Sequence, residues 1–185
     1  MKTFRVALLV TALIGVAQTA QAQTALPADR SKAPLVKITD KALPFTVSLP
    51  KGWVGLDLKD GVAGVTIASQ AQPPAALMRL LFIPKNGQAV NLQSEFTKFE
   101  GAIKEGGAKV TFKGEKAANY GGVSGLIRLY TITNSPGTAK ANDLTMRVWF
   151  GNGAKNFYSF QLTVDSASFA RMDTLFDKVL ASVAF

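Results

Sequence analysis

The 185-residue chain contains no cysteine and no histidine. Without thiols it forms no disulfide, so its fold has to be held by a packed core alone. Without imidazole or thiolate it has no Ser-His-Asp triad and no Cys-His pair. It also lacks the nitrogen and sulfur ligands that zinc, copper or haem require. Carboxylate-only catalysis and Ser-Lys chemistry stay open by residue type, but pairs such as Ser48 with Lys51 match no nucleophile motif. Asp57 and Asp60 precede Gly61; the spacing lacks the alternation of a calcium loop and reads as a turn. The chain is therefore expected to have no catalytic residue, no metal and no cofactor.

Long apolar runs are equally scarce. Val6 to Ala17 is apolar except for Thr11 and Gly15, about 12 residues where a membrane span needs about 20. Lys2 and Arg5 precede it, and Ala20-Gln21-Ala22 follows with small side chains at the −3 and −1 positions. These are the three zones of a secretory signal peptide, so residues 1–22 are expected to be removed. No cysteine follows the run to carry a lipid, and no Arg-Arg pair suggests the twin-arginine route. No transmembrane segment is expected in the mature chain, which would be exported, either periplasmic or extracellular.

Cleavage after Ala22 would leave residues 23–185, enough for one domain with a proper core. The chain has 21 Lys and Arg against 12 Asp and Glu; losing Lys2 and Arg5 leaves 19 against 12, a net charge of +7. That balance favours anionic partners such as phospholipid headgroups, acidic wall polymers or nucleic acid. The lysines are scattered, with no run of four, so nucleic acid is not the expected partner. A solvated, solubilising surface is the plainer alternative.

Residues 23–43 carry Pro27 and Pro34 among small and charged residues and read as an extended N-terminal arm. Residues 44–185 are patterned as one domain. Phe45-Thr-Val-Ser-Leu49 alternates like a half-buried strand, and Pro50-Lys51-Gly52 ends it. Val54–Leu58 and Val62–Ala68 suggest a hairpin around Asp60-Gly61. Leu77–Ile83 is a strongly apolar strand. Leu92, Phe96, Phe99 and Ile103 step by four, three and four, predicting a helix over 92–105 capped by Asn91 and stopped by Gly106-Gly107. Val110–Phe112 reads as a short strand, and Val123–Thr133, Leu144–Phe150 and Phe157–Val164 as longer ones. A closing helix is expected over 168–181, with Asp165, Ser166 and Ser168 all competent to cap it. Strands, helix, strands, helix is the order of an α+β domain with an antiparallel sheet; two amphipathic helices do not suit a membrane barrel.

The stretch Phe45-Thr-Val-Ser-Leu-Pro50-Lys-Gly52-Trp53 resembles the opening strand and Pro-x-Gly-Trp of PsbP-like domains. The central helix, the antiparallel strands and the closing helix with its Ser-Val-Ala-Phe tail extend the resemblance over residues 43–185. It implies an α/β/α sandwich around an antiparallel sheet. It also implies non-enzymatic work, because the family's best-known members are an extrinsic photosystem subunit and a factor that binds a small GTPase. Photosystem members use histidine near their metal ions; this chain has none, so metal handling does not carry over.

Three strands carry an arginine in apolar sequence: Arg79, Arg128 and Arg147. Tyr130 and Trp149 lie two residues past the last two, hence on the same sheet face as each. On neighbouring strands these arginines would form a ring-flanked positive row able to grip a carboxylate or phosphate. Alternatively each sits at a sheet margin, paired with an acid such as Glu95, Glu100 or Asp173. Trp53 is either a partner-binding aromatic or a cover for the core's edge. The function expected is that of an exported, non-catalytic binding or accessory protein for a partner protein or an anionic envelope component. The alternative is a carrier holding a small amphipathic ligand between sheet and helix. The intact mass of the secreted product checks the processing: a chain starting at Gln23 is expected, and a retained Met1 would overturn it.

Overall fold

A computed structural model describes residues 29–72, 75–134 and 143–185. The expected signal peptide, residues 73–74 and residues 135–142 lie outside them. After a short 3-10 turn, Arg30–Lys32, the described elements in chain order are β1 (Leu35–Ile38), β2 (Val47–Pro50), β3 (Val54–Gly55), β4 (Gly64–Ala68), β5 (Leu77–Pro84), α1 (Leu92–Glu105), β6 (Ala108–Tyr120), β7 (Val123–Asn134), β8 (Leu144–Asn152), β9 (Asn156–Asp165) and α2 (Phe169–Ala181). Strands β3-β4-β5-β9-β8-β7-β6 form one seven-stranded sheet, and β1 pairs with β2 in a second, two-stranded one. All these pairings are antiparallel. The architecture is the α+β sandwich expected, with a helix on each face of the large sheet.

The layers follow from side-chain periodicity. Phe96, Phe99 and Ile103 on α1 are fully buried with Tyr130, Met146, Val148, Phe150 and Phe157. Asn91 Oδ1 accepts the Ser94 amide at 3.0 Å to start this helix, and Gly107, at φ 82°, ends it as a left-handed C-terminal residue. On the opposite face Leu175, Phe176, Val179 and Leu180 of α2 meet Met78, Leu80, Trp149, Phe160 and Leu162. Asp165, rather than Ser168, supplies the side-chain bond before α2: its Oδ1 accepts the Ser168 amide at 3.0 Å.

Several local expectations need correction. Residues 35–38, read as part of an arm, are β1; Val36 pairs with Leu49 and Lys37 with Ser48, so the segment is extended but pinned. The Asp60-Gly61 hairpin is shorter than its apolar pattern suggests, with only Val54 and Gly55 of β3 laddered to β4. Asp57 Oδ1 takes the Lys59 amide at 2.9 Å and Asp60 Oδ1 takes the Val62 amide at 3.1 Å. These side-chain bonds compete with ladder bonds and hold residues 56–63 as a loop. The short Val110–Phe112 strand is really the thirteen-residue β6. A register shift between Phe112 and Gly114 breaks its alternation, and pairing with β7 carries it onward through polar sequence. In β9 the polar residues Ser159, Gln161 and Thr163 are as buried as the apolar ones between them.

Trp149 has no exposed surface, and its indole lies over the paired glycines Gly125 and Gly151. A Cβ at either position would overlap that ring. Both glycines thus serve as the floor beneath the largest buried side chain. Gly151→Ala is expected to lower stability by about 1–3 kcal/mol through overpacking, read as a fall in the thermal midpoint. An unchanged midpoint would mean that the indole is free to move.

Candidate functional site

Strand register decides where the arginines point. Arg79 pairs with Gln161, Gln161 with Val148, and Val148 with Arg128. Arg79 and Arg128 therefore share one transverse row on the α1 face, three strand spacings or about 14 Å apart. Arg147 pairs with Leu162 and Leu129 and projects to the α2 face. The three do not form a single positive row.

Each guanidinium is engaged within the fold. Arg79, 5% exposed, pairs with Asp60 and ties the 56–63 loop to β5. Arg128 donates through Nε to Glu115 Oε2 at 2.6 Å and through Nη1 to Glu100 Oε1 at 2.8 Å, with Gln93 a third partner. Its guanidinium carbon sits 4.4 Å from the Phe96 ring centroid and 5.5 Å from that of Phe112, within cation–π reach. Burial opposes its charge, but bonds to Glu115, Tyr130 and Glu100 outweigh that and raise its pKa. The Arg128 bond in turn holds Glu115 below the ordinary carboxylate range, against burial. The stability this pair contributes is complete above that ordinary range and is lost as pH falls through the folded-state value.

Arg147 is buried at the α2 face. It donates through Nη1 to Asp173 Oδ1 at 2.7 Å, and Nη2 lies 2.6 Å from Asp177 Oδ1. Nη2 also donates to the Tyr120 hydroxyl at 3.1 Å. Burial works against the charge, but Asp177 and Asp173 overcome it and raise the pKa. Glu100 and Asp173 are thus two of the partners anticipated from sequence, while Glu95 instead pairs with Lys98 at 2.5 Å.

The rings named from sequence are also used inside. Tyr130 is fully buried and donates its hydroxyl to Glu100 at 2.8 Å; burial, then that bond, pushes its pKa up. Trp149 donates Nε1 to the Ala118 carbonyl at 3.4 Å. Trp53 is half-buried against the α2-face cluster, and among the described residues its Nε1 has no hydrogen-bond partner.

What remains available at the surface lies elsewhere. Lys109, Thr111, Phe112, Lys113 and Lys116 of β6 are exposed, Phe112 by 51%. Sequence reasoning missed this group because β6 was read as three residues; the traceable signal was a phenylalanine set among lysines in polar sequence. A separate open concavity of about 530 Å³ is lined by Leu56 to Val62 with Gly64 and Thr66. Among the described residues no cluster of three or more acidic, histidine or cysteine side chains could hold a metal. No described helix is long and apolar enough to cross a membrane.

No family model and no curated protein matches the sequence. Solved structures do. The cyanobacterial PsbP protein CyanoP of Synechocystis sp. PCC 6803 superposes with a TM-score of 0.59 at 15% identity, over 92% of this chain and 98% of its own. The chain has the PsbP-like fold. The Ran-binding protein Mog1p of Saccharomyces cerevisiae shares it, with a TM-score of 0.58 at 11% identity over 82% of this chain and 95% of its own. So does LpqN of Mycobacterium tuberculosis, described as involved in cell envelope biogenesis, at 0.51 and 14% over 82% and 90%.

Within this PsbP-like sandwich, Arg147 is expected to be a structural tie between β8 and α2. Arg147→Gln would leave Asp173 and Asp177, one helical turn apart, without their shared cation. The expected loss is about 1–3 kcal/mol, measured by denaturant unfolding and partly restored by adding Asp177→Asn. An unchanged unfolding midpoint would remove Arg147 from that role.

Proposed function

We propose that the protein is an exported, non-catalytic binding or accessory protein that engages a partner protein or an anionic envelope component. The observation that carries this reading is a division of labour among its charges. Arg79, Arg128 and Arg147 are drawn into ion pairs within the fold. Exposed lysines and an exposed aromatic ring lie along β6, where charge and apolar area are offered along one edge. The likeness in fold to a Ran-binding protein and to a protein of envelope biogenesis supports the same reading. The alternative, a carrier with a ligand between sheet and helix, needs room there. That space is filled by Phe96, Phe99 and Ile103 under α1 and by Phe176, Val179 and Leu180 under α2, all fully buried. The 530 Å³ concavity lies at the 56–66 segment instead.

Capture from an envelope extract tests the reading. A specific partner is expected at low ionic strength and should be lost near about 1 M salt, where screening acts over about 3 Å. Recovery of nothing above a bead control at low salt would overturn it.

A further inference from the structure

The two edges of the large sheet are built differently. One ends in β3, only two residues long. The other ends in β6, thirteen residues long, with no strand beyond it among the described residues. An edge strand turns alternate amides and carbonyls outward, and a long one is a template for another strand. A short strand is one of the usual ways of blunting an edge, and β3 uses it. The β6 edge keeps its length and carries charge instead.

The charge left unpaired there is of one sign. Lys109, Lys113 and Lys116 are exposed, and no ion pair ties them to a described acid. Glu115, the acid within the strand, is committed to Arg128. Two copies of β6 laid edge to edge would gather the unpaired lysines of both strands, Lys109, Lys113 and Lys116 from each, along one seam, and like charges close together across strands are destabilising. The lysines thus select against self-pairing while leaving the edge open to a strand of opposite charge.

The register adds a second constraint. Lys109 pairs with Thr133 and Lys116 with Ile127, which places both lysines toward the α2 face. Val110 and Phe112 pair with Ile132 and Tyr130 and belong to the α1 face. A strand added along β6 would meet lysines on one side and an exposed phenylalanine ring on the other. We propose that β6 is a strand-addition site for an extended protein segment in which acidic and apolar residues alternate. Backbone ladder bonds would supply general affinity, and the alternate side chains would supply selection. This assignment rests on the binding reading above and names the surface and the chemistry of the partner.

The test uses a capped peptide of about eight residues alternating Asp and Val, a typical strand length, titrated into isotope-labelled protein. A second peptide with Lys in place of Asp is the control. Amide shifts are expected to concentrate between Ala108 and Tyr120, with slowed hydrogen exchange along β6, and the lysine peptide should not produce them. The K109E/K113E/K116E variant should bind the acidic peptide at least about tenfold more weakly through charge reversal. F112A should bind it several-fold more weakly. The charge-reversal variant should melt near the parent temperature, because its lysines are exposed and unpaired; F112A, whose ring also touches Arg128 and Tyr130, is compared under conditions where its melt shows it folded. Shifts centred on another surface, equal binding of the lysine peptide, or an unchanged affinity after charge reversal would each overturn the assignment. So would the absence of any shift at about 1 mM peptide, an affinity weaker than about 4 kcal/mol of binding. If the peptide fails while the envelope partner is still captured, the edge assignment falls and the binding reading stands. If neither binds, both fall.

Discussion

Strands β8 and β9 have no solvent side: from Thr145 to Gly151 and from Phe157 to Val164 every residue is buried. A hairpin in that position has to be covered on both faces, and its polar side chains have to find partners inside the protein. α1 supplies one cover and α2 the other, each through one stripe of its surface. Several polar atoms are answered locally, while the buried Arg147 Nε has no hydrogen-bond partner among the described residues. Gln161 donates to Ser159 at 2.8 Å, Thr145 shares a hydrogen bond with Ser166 at 2.8 Å, and Arg147 reaches the acids of α2. Phe45, Val47 and Leu49 share the α2-side cluster, so the small sheet and α2 close that face of the hairpin together.

The arginines express the same constraint in charge. A guanidinium is bulky, permanently ionised and able to bond in several directions, so it can join a sheet to more than one neighbour at once. Arg128 joins β7 to α1 and β6, Arg147 joins β8 to α2 and Tyr120 of β6, and Arg79 joins β5 to the 56–63 loop. Partly buried ion pairs like these bring little net stability over a well-packed apolar core, while breaking one leaves an uncompensated charge. The arginines also engage Asp60, Glu100, Glu115, Asp173 and Asp177, so those acids are not left to offset the exposed lysines of β6. The positive character at that edge is in this sense a by-product of how the core is tied together.

The helices, the principal strands and the choice of an α+β sandwich were legible in the sequence because each rests on a period of a few residues. The four-three-four stepping of Leu92, Phe96, Phe99 and Ile103, the alternation of Phe45 to Leu49 and the Pro50-Lys51-Gly52 stop are local patterns. Solvation and backbone sterics read such patterns without knowing the rest of the fold. Paired arginines were legible as an option, down to Glu100 and Asp173 as partners.

The side of the sheet that each arginine faces was a matter for tertiary structure alone, because a strand's two faces become distinguishable only once its neighbours set the register. The same holds for β6: its outer side needs no apolar residues, so no period marks it, and pairing with β7 alone extends it to Tyr120. Loop 56–63 departs from its apolar pattern because Asp57 and Asp60 bond the backbone and Arg79 draws Asp60 onto the sheet. By itself the sequence determined which segments bury a face and that the chain must fold without thiol or imidazole. Tertiary pairing decided which faces meet and which edge is left open, because those depend on contacts between residues far apart in the chain.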